Sequence, residues 1–354
     1  MPDLIFEENV PLAPLTTLGV GGPARYFVEP SDVEQLRAAL EKAERDGLAV
    51  LILGGGSNVV IADSGFDGVV VRPMFLGMEF SQNGDLTNVA VGAGENWDAF
   101  VAACVEMNLA GVEAMSGIPG LVGGTPIQNV GAYGQEVSET ITAVECLDRE
   151  SRSAVTFTDE QCGFRYRESI FNTTCRDRYV VLKVHFRLQR NGRPKIAYRD
   201  LTELFEGREP SLSETREAVL AIRRSKSMVI DKDDPNSRSA GSFFKNPIVD
   251  LEVYETIAAE DPSVPKFAAE PGRVKIPAAW LIEHAGFDKG YRMGSAGISS
   301  RHPLAIINAD NASAAEIIAL KDAIQAAVKA RFAIELRPEP VFVGFQDASK
   351  ILTE

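Results

Sequence analysis

Apolar and polar positions change their period along the chain, and each change marks an element. Residues 24–30 (ARYFVEP) read as a strand. Val33, Leu36, Leu40 and Ala43 then recur at helical spacing behind a capping-box signature of Ser31 with Glu34, and Gly47 ends that helix. The apolar runs 50–53 (VLIL) and 69–73 (VVVRP) predict two buried strands. Strands are also expected at 89–93, 141–148, 153–158 and 179–188, with a helix over about 96–109 capped by Asn96. In the second half, a polar stretch at 205–216 capped by Ser213 leads into a helix with Val219, Leu220 and Ile222, which runs into the basic residues Arg223, Arg224 and Lys226. A helix at about 277–286 follows, then a longer one from Ser313, boxed with Glu316, through Ile317, Leu320, Ile324 and Val328. The strand PVFVGF comes last, and no solenoid-spaced repeat or low-complexity tract interrupts the pattern.

Composition limits what this alternation can build. A chain of 354 residues with 45% hydrophobic content can bury a sizeable core and divides into two or three domains, with a boundary near residue 200. Its 36 basic against 50 acidic residues give a net charge of -14, which disfavours nucleic acid or an anionic membrane as partner. An anionic ligand therefore needs a local basic cluster. Cys104, Cys146, Cys162 and Cys175 form no C-x-x-C pair and read as reduced thiols. The opening MPDLIFEENV lacks the basic start and apolar run of a secretory leader, and no stretch of eighteen apolar residues occurs, so a cytoplasmic location is expected, with a monomer as the default.

The candidate chemistry begins with glycine. Residues 53–58 (LGGGSN) leave an apolar strand with three side chains removed in a row, which lets backbone N–H groups approach a pyrophosphate, with Ser57 and Asn58 as added donors. A plain tight turn would read the same way. Residues 19–24 (GVGGPA) and 92–97 (GAGENW) resemble dinucleotide fingerprints, but the first follows no buried strand and carries Pro23 where helix packing is wanted. Residues 116–134 (SGIPGLVGGTPIQNVGAYG) hold six glycines and two prolines among few charges, which suggests buried backbone packed against something rather than a surface linker.

Three side-chain groups complete the set. GFRYRE at 163–168, if extended, puts Arg165 and Arg167 on one face and Phe164 and Tyr166 on the other, and a guanidinium fork suits carboxylate or phosphate. GSFFKNP at 241–247 places Ser242 after a glycine and before two aromatics, outside any G-x-S-x-G pattern. LRPEP at 336–340 fixes Glu339 between two prolines. His185, His284 and His302 have no local sequence that suggests a triad or metal-ligand spacing, so they are expected to be structural and no metal site is expected.

Taken in order, TTLGVGGPARYF, LGGGSN, SGIPGLVGGTPIQNVGAYG, CGFRYRESIF, GSFFKNP, WLIEHAGF and LRPEPVFVG resemble the motif series of the UDP-N-acetylenolpyruvoylglucosamine reductase family, from about residue 12 to residue 345. The resemblance implies an α+β chain with an FAD-binding fold of the vanillyl-alcohol-oxidase (PCMH) type in two subdomains, 1–70 and 71–204 with the return of 335–354. A C-terminal α+β substrate-binding domain would span 205–334. It implies non-covalent FAD, NADPH as hydride donor and a nucleotide-sugar substrate.

Arg167, Ser242 and Glu339 fall on the family's catalytic positions. The flavin would be lined by Gly54, Gly55, Gly56, Ser57 and Asn58, and from the second loop by Ser116, Gly117, Ile118, Pro119, Gly123, Thr125, Gln128 and Gly131. Residues 197–201 (AYRDL) are similar to the tyrosine loop of one family type, so Tyr166, Tyr198, Lys226 and Asn246 would meet the substrate. One departure from the family pattern, GGTP at 123–126, bears on the flavin contact through Thr125. On the residues alone, another FAD oxidoreductase of this fold or a flavin-binding module without turnover stays open.

Overall fold

The Val33–Arg45 helix shows how the first layer is built. Its Leu36, Ala39, Leu40 and Ala43 are buried against Val28, Val69 and Val71, and each fully buried leucine contributes about 1.5–3 kcal/mol. The capping residue is Asp32, whose carboxylate accepts the Gln35 N–H at 2.8 Å, while Gln35 reaches back to the Ser31 N–H at 2.9 Å. The box expected from Ser31 and Glu34 is thus displaced by one residue, because Asp32 is the stronger acceptor at the first position with extended backbone.

The structure, a computed structural model, describes residues 4–345, so the end of the expected return, 346–354, lies outside the described residues. Its mixed helices and sheets give the expected α+β class, and they gather into two units. One unit takes the chain up to Val10, Ala24–Gly55 and Asp67–Val229; the other takes Pro11–Pro23, Gly56–Phe66 and the chain from Ile230 onward.

In the first unit, Glu7–Pro11, Pro23–Val28, Phe66–Val71 and Ala49–Ile52 form a sheet in that order, the last two strands parallel with Val50 opposite Val69. A second sheet is antiparallel in the order Ala154–Thr158, Ile141–Asp148, Tyr179–Arg190, Leu86–Gly92 and Met78–Asn83, with Leu109–Ala110 on the far end of the long strand. Trp97–Glu106, capped by Asn96 as expected, covers this sheet through Trp97, Phe100 and Cys104, and the Phe100 and Phe186 rings lie 4.8 Å apart. Among the described residues all four cysteines are free; burial pushes the Cys104 and Cys146 thiols well up and the Cys162 thiol to about 12, so they stay protonated core residues.

The Leu212–Ser225 helix begins at Ser211, which exchanges hydrogen bonds with Glu214 in a true capping box, two residues before the expected Ser213. Residues 205–229 belong to the first unit rather than to a separate domain starting at 205. The reason is a bidentate ion pair, Arg216 to Asp98 at 2.6 and 2.9 Å, together with Val219 packed with Leu201 and Phe205.

In the second unit, Val341–Val343 pairs in parallel with Val59–Ile61, so the closing strand does not rejoin the sheet of 71–204. Two three-stranded sheets follow: Ile248–Asp250, Arg273–Lys275 and Phe267–Ala268, then Arg292–Met293, Ala296–Ile298 and Ile306–Asn308. Ala314–Phe332 starts at the expected Ser313–Glu316 box, and the Asp63 carboxylate accepts the Ala314 and Ala315 N–H groups at 2.8 and 3.0 Å. Its Ile317, Leu320, Ile324 and Val328 share one core with Leu18, Val20, Val60, Phe243 and Phe244.

Candidate active site

The strand Ala49–Ile52 runs straight into the glycines at 54–56. A Cβ on Gly55 would lie 2.5 Å from the Gly120 Cα, so the two backbones meet with no room for a side chain, whereas a Cβ on Gly54 would meet nothing within 4 Å. Gly56 is left-handed at φ +62°, its would-be Cβ facing the Leu15 carbonyl, and its own carbonyl accepts the Thr17 N–H at 3.0 Å. Asn58 accepts the Val341 N–H at its carbonyl and donates from Nδ2 to the Glu339 carbonyl at 3.4 Å.

The glycine-rich segment 116–134 is pinned backbone. Val122 and Gly123 donate to the Glu95 and Ala93 carbonyls at 2.9 Å, and Trp97 donates to the Gly120 carbonyl at 3.1 Å. The fingerprint-like GAGENW thus supplies the partners that hold the glycine segment. Ser116 is fully buried and donates to the Glu113 carbonyl at 2.7 Å; Gly117, at φ +72°, donates to Asp98 at 2.6 Å. The Thr125 hydroxyl, also buried, donates to the Val122 carbonyl at 2.8 Å, which leaves only its lone pairs for another group. Ile118, Pro119, Gln128 and Gly131 are half-buried along the same loop, and Gly124 would meet nothing within 4 Å if it carried a Cβ.

Residues 163–168 are not extended. Arg165 and Glu168 exchange backbone hydrogen bonds at 2.9 and 3.1 Å, so Tyr166 and Arg167 form the tip of a hairpin and the alternation of faces expected for Arg165 and Arg167 is lost. Arg167 sits at φ +58°, a conformation that costs an ordinary residue about 1–3 kcal/mol. Its guanidinium donates to the Gly131 carbonyl at 2.7 Å and the Asn129 carbonyl at 3.3 Å, which aims the fork along the glycine loop. Tyr166 is exposed, its ring 5.3 Å from that guanidinium.

Nearby in the first unit, Tyr198 and Tyr133 meet edge to face at 5.2 Å, and Lys226 pairs with Asp200 at 2.7 Å. Burial opposes the Lys226 charge, but the Asp200 carboxylate outweighs it and raises the ammonium pKa above its ordinary value. Arg223 stands in an environment that the sequence pattern does not announce. It is a buried guanidinium whose Nη2 donates to the Met228 carbonyl at 2.7 Å while its Nε has no partner, and desolvation lowers its pKa. In sequence it is one of three bases in a run; only burial singles it out.

In the second unit, residues 241–246 run beside 337–339. Phe244 bridges Pro338, the Glu339 N–H donates to the Phe243 carbonyl at 2.9 Å and Lys245 donates to the Arg337 carbonyl at 2.9 Å. Phe243 and Phe244 are buried, so the segments carrying Ser242 and Glu339 are locked to one core. Asn246 accepts the Ala278 N–H at 2.9 Å, which leaves its amide N–H groups for a ligand. His185 pairs with Glu145 at 2.5 Å and His284 stacks on Trp280 at 3.9 Å, whereas His302 Nε2 lies 3.5 Å from Ser242 Oγ.

Residues 233–343 match the family model described as UDP-N-acetylenolpyruvoylglucosamine reductase, C-terminal domain, and residues 24–154 match an FAD binding domain. A UDP-N-acetylenolpyruvoylglucosamine reductase from Thermobifida fusca is 45% identical over 352 residues, which cover 96% of this chain and 98% of that one. One from Saccharopolyspora erythraea is 45% identical, covering 94% of each chain. The crystal structure of the reductase from Thermus caldophilus superposes with a TM-score of 0.65 at 26% identity, covering 96% of this chain and all of that one.

Proposed function

The chain belongs to the UDP-N-acetylenolpyruvoylglucosamine reductase family, and from that premise we propose the roles that its residues play in the family's reaction. It is a flavin-dependent oxidoreductase that reduces UDP-N-acetylenolpyruvoylglucosamine to UDP-N-acetylmuramate in peptidoglycan precursor synthesis. FAD, when bound, would supply the hydride chemistry that links NADPH to the enolpyruvyl double bond.

The residues present suit that cofactor. Gly54 to Asn58 would offer bare backbone to its pyrophosphate. The loop carrying Ser116, Gly117, Ile118, Pro119, Gly123, Thr125, Gln128 and Gly131 would line the ring, and the partnerless Arg223 Nε is a buried donor suited to a ring carbonyl or a phosphate oxygen. These contacts are non-covalent in this reading.

Arg167 stabilises the negative charge that hydride addition pushes into the substrate carboxylate; its strained backbone and its two carbonyl partners preorganise the fork to do so. Ser242 gives a proton to the adjacent carbon. Glu339 acts beside that charge, so it is held protonated or cation-paired during turnover, because a bare carboxylate would repel an enediolate. Infrared difference spectra of the reduced complex would show its protonated carbonyl band or a paired carboxylate; an unpaired ionised band refutes that role. Tyr166, Tyr198, Lys226 and Asn246 hold the nucleotide sugar, the Lys226 charge facing its phosphates.

The observation that carries this reading is the locked pair of segments 241–246 and 337–339, which sets Ser242 and Glu339 on buried aromatic anchors. Purified protein should be yellow, bleach with NADPH, and regain colour on addition of the enolpyruvyl substrate. Recolouring by oxygen alone at the same rate would defeat it. No helix among the described residues is long and apolar enough to cross a membrane, and a cytoplasmic monomer with subdomains near the expected 1–70 and 71–204 is part of the proposal.

A further inference from the structure

Ser242 is asked to give up a proton although a serine hydroxyl is a very weak acid, so the alkoxide left behind needs a hydrogen-bond donor already in place. His302 occupies that position. The loop between Ala296–Ile298 and Ile306–Asn308 carries it, and Phe243 donates its N–H to the Leu304 carbonyl at 2.8 Å, which ties that loop to the residue next to Ser242. His302 Nε2 is then 3.5 Å from Ser242 Oγ, and both side chains are half-buried.

The other ring nitrogen decides the direction of this contact. The Leu304 N–H donates to His302 Nδ1 at 3.4 Å, so Nδ1 presents its lone pair and the proton of the neutral imidazole resides on Nε2. In that tautomer the imidazole donates to Ser242 Oγ and cannot accept from it. The serine proton is left to point away from the ring, toward whatever base the site presents.

We propose that His302 is the positioning residue of the protonation step: its Nε2–H holds the Ser242 oxygen, directs the hydroxyl proton at the substrate carbon and stabilises the oxygen once that proton has gone. In the step, the Ser242 O–H bond breaks, its electron pair stays on Oγ, and the proton forms the new C–H bond on the carbon that the established reduction has made basic. Solvent then returns a proton to Oγ, and His302 keeps its own throughout. The inference rests on reading Ser242 as the proton donor.

Rapid-mixing absorbance of the FAD-loaded enzyme separates flavin reduction by NADPH from reoxidation by the enolpyruvyl substrate. His302→Phe should slow reoxidation at least about tenfold and leave reduction unchanged, and His302→Gln, whose amide can donate from the same place, should recover most of the loss. The double variant Ser242→Ala with His302→Phe should reoxidise no more slowly than Ser242→Ala alone, because His302 acts through Ser242. Normal reoxidation in His302→Phe, or slowing in the double variant equal to the product of the two singles, overturns the inference. Unchanged reoxidation in Ser242→Ala instead defeats the reading of Ser242 itself. Independently of turnover, nitrogen-15 histidine spectra of the wild-type enzyme, with His302 identified by its loss in His302→Gln, should show the Nε2–H tautomer. An Nδ1–H tautomer overturns the proposal even if His302→Phe fails to fold.

Discussion

The glycine-rich segment 116–134 and the paired segments around Ser242 and Glu339 solve opposite problems. The first is built by removing side chains: Gly123 sits where a Cβ would collide with Ala93, Gly120 faces Gly55 where a Cβ on Gly55 would collide with its Cα, and the segment is held by Ala93, Glu95 and Asp98. The second is built by anchoring side chains: Phe243 and Phe244 are buried so that their neighbours can be presented. The proposed roles fit this contrast, since a cradle for a large flat cofactor needs shape and N–H groups, whereas a proton-transfer site needs one group at one angle. Damage to the two regions should therefore look different.

The largest effect should separate them outright. Ser242→Ala is expected to slow reoxidation by the enolpyruvyl substrate about a hundredfold or more while FAD content and reduction by NADPH stay normal. Rapid-mixing absorbance reads both halves, and equal slowing of the two would make the serine structural. Gly55→Ala should do the reverse, costing about 2–3 kcal/mol of stability and most of the bound flavin, since its Cβ would stand 2.5 Å from the Gly120 Cα. Absorbance at the flavin band after desalting and a melting curve decide; a variant that keeps full flavin and stability would show that the cradle is not tight.

Smaller effects test what surrounds both regions. Lys226→Ala should raise the substrate KM several-fold, less at high salt, because a half-exposed charge is screened; constants that do not change with ionic strength would make it a solvated lysine. The smallest concerns Asp98, which accepts both Gly117 and Arg216. Burial alone would raise its pKa, but the Arg216 and Gly117 donors outweigh that and hold it below the ordinary carboxylate value. Its stabilising contribution is then complete above about pH 4 and is lost as pH falls through the lowered folded value. Asp98→Asn should lower the melting temperature at neutral pH and flatten the acid limb of the stability profile, and an unchanged acid limb would contradict the assignment.

Much of the fold is legible in the order of residues. The helices beginning at Asn96 and Ser313 and the long strand over 179–188 follow from periodicity and caps, because these depend on contacts within a few residues. The caps at Asp32 and Ser211 lie one and two residues from the expected Ser31 and Ser213, since several acceptors compete at each helix start and only the backbone turn selects one. The GFRYRE hairpin is not legible, because nothing local separates an extended strand from a two-residue tip; the carbonyls of Asn129 and Gly131 that hold Arg167 lie elsewhere in the chain.

Contiguous residues therefore suffice for the strongly periodic helices and strands, the two glycine loops and the motif series that places the chain in its family. They do not suffice for elements of weak pattern such as the helix Leu251–Glu260 and the strand Met78–Asn83, which the sequence reading does not predict. Which distant segments meet is settled only by the folded chain: Asn58 with Glu339 across 281 positions, Val59–Ile61 with the closing strand, and His302 with Ser242. Local pattern encodes short-range backbone preference, but such meetings depend on which buried surfaces pack together, and a periodicity carries no record of its partner.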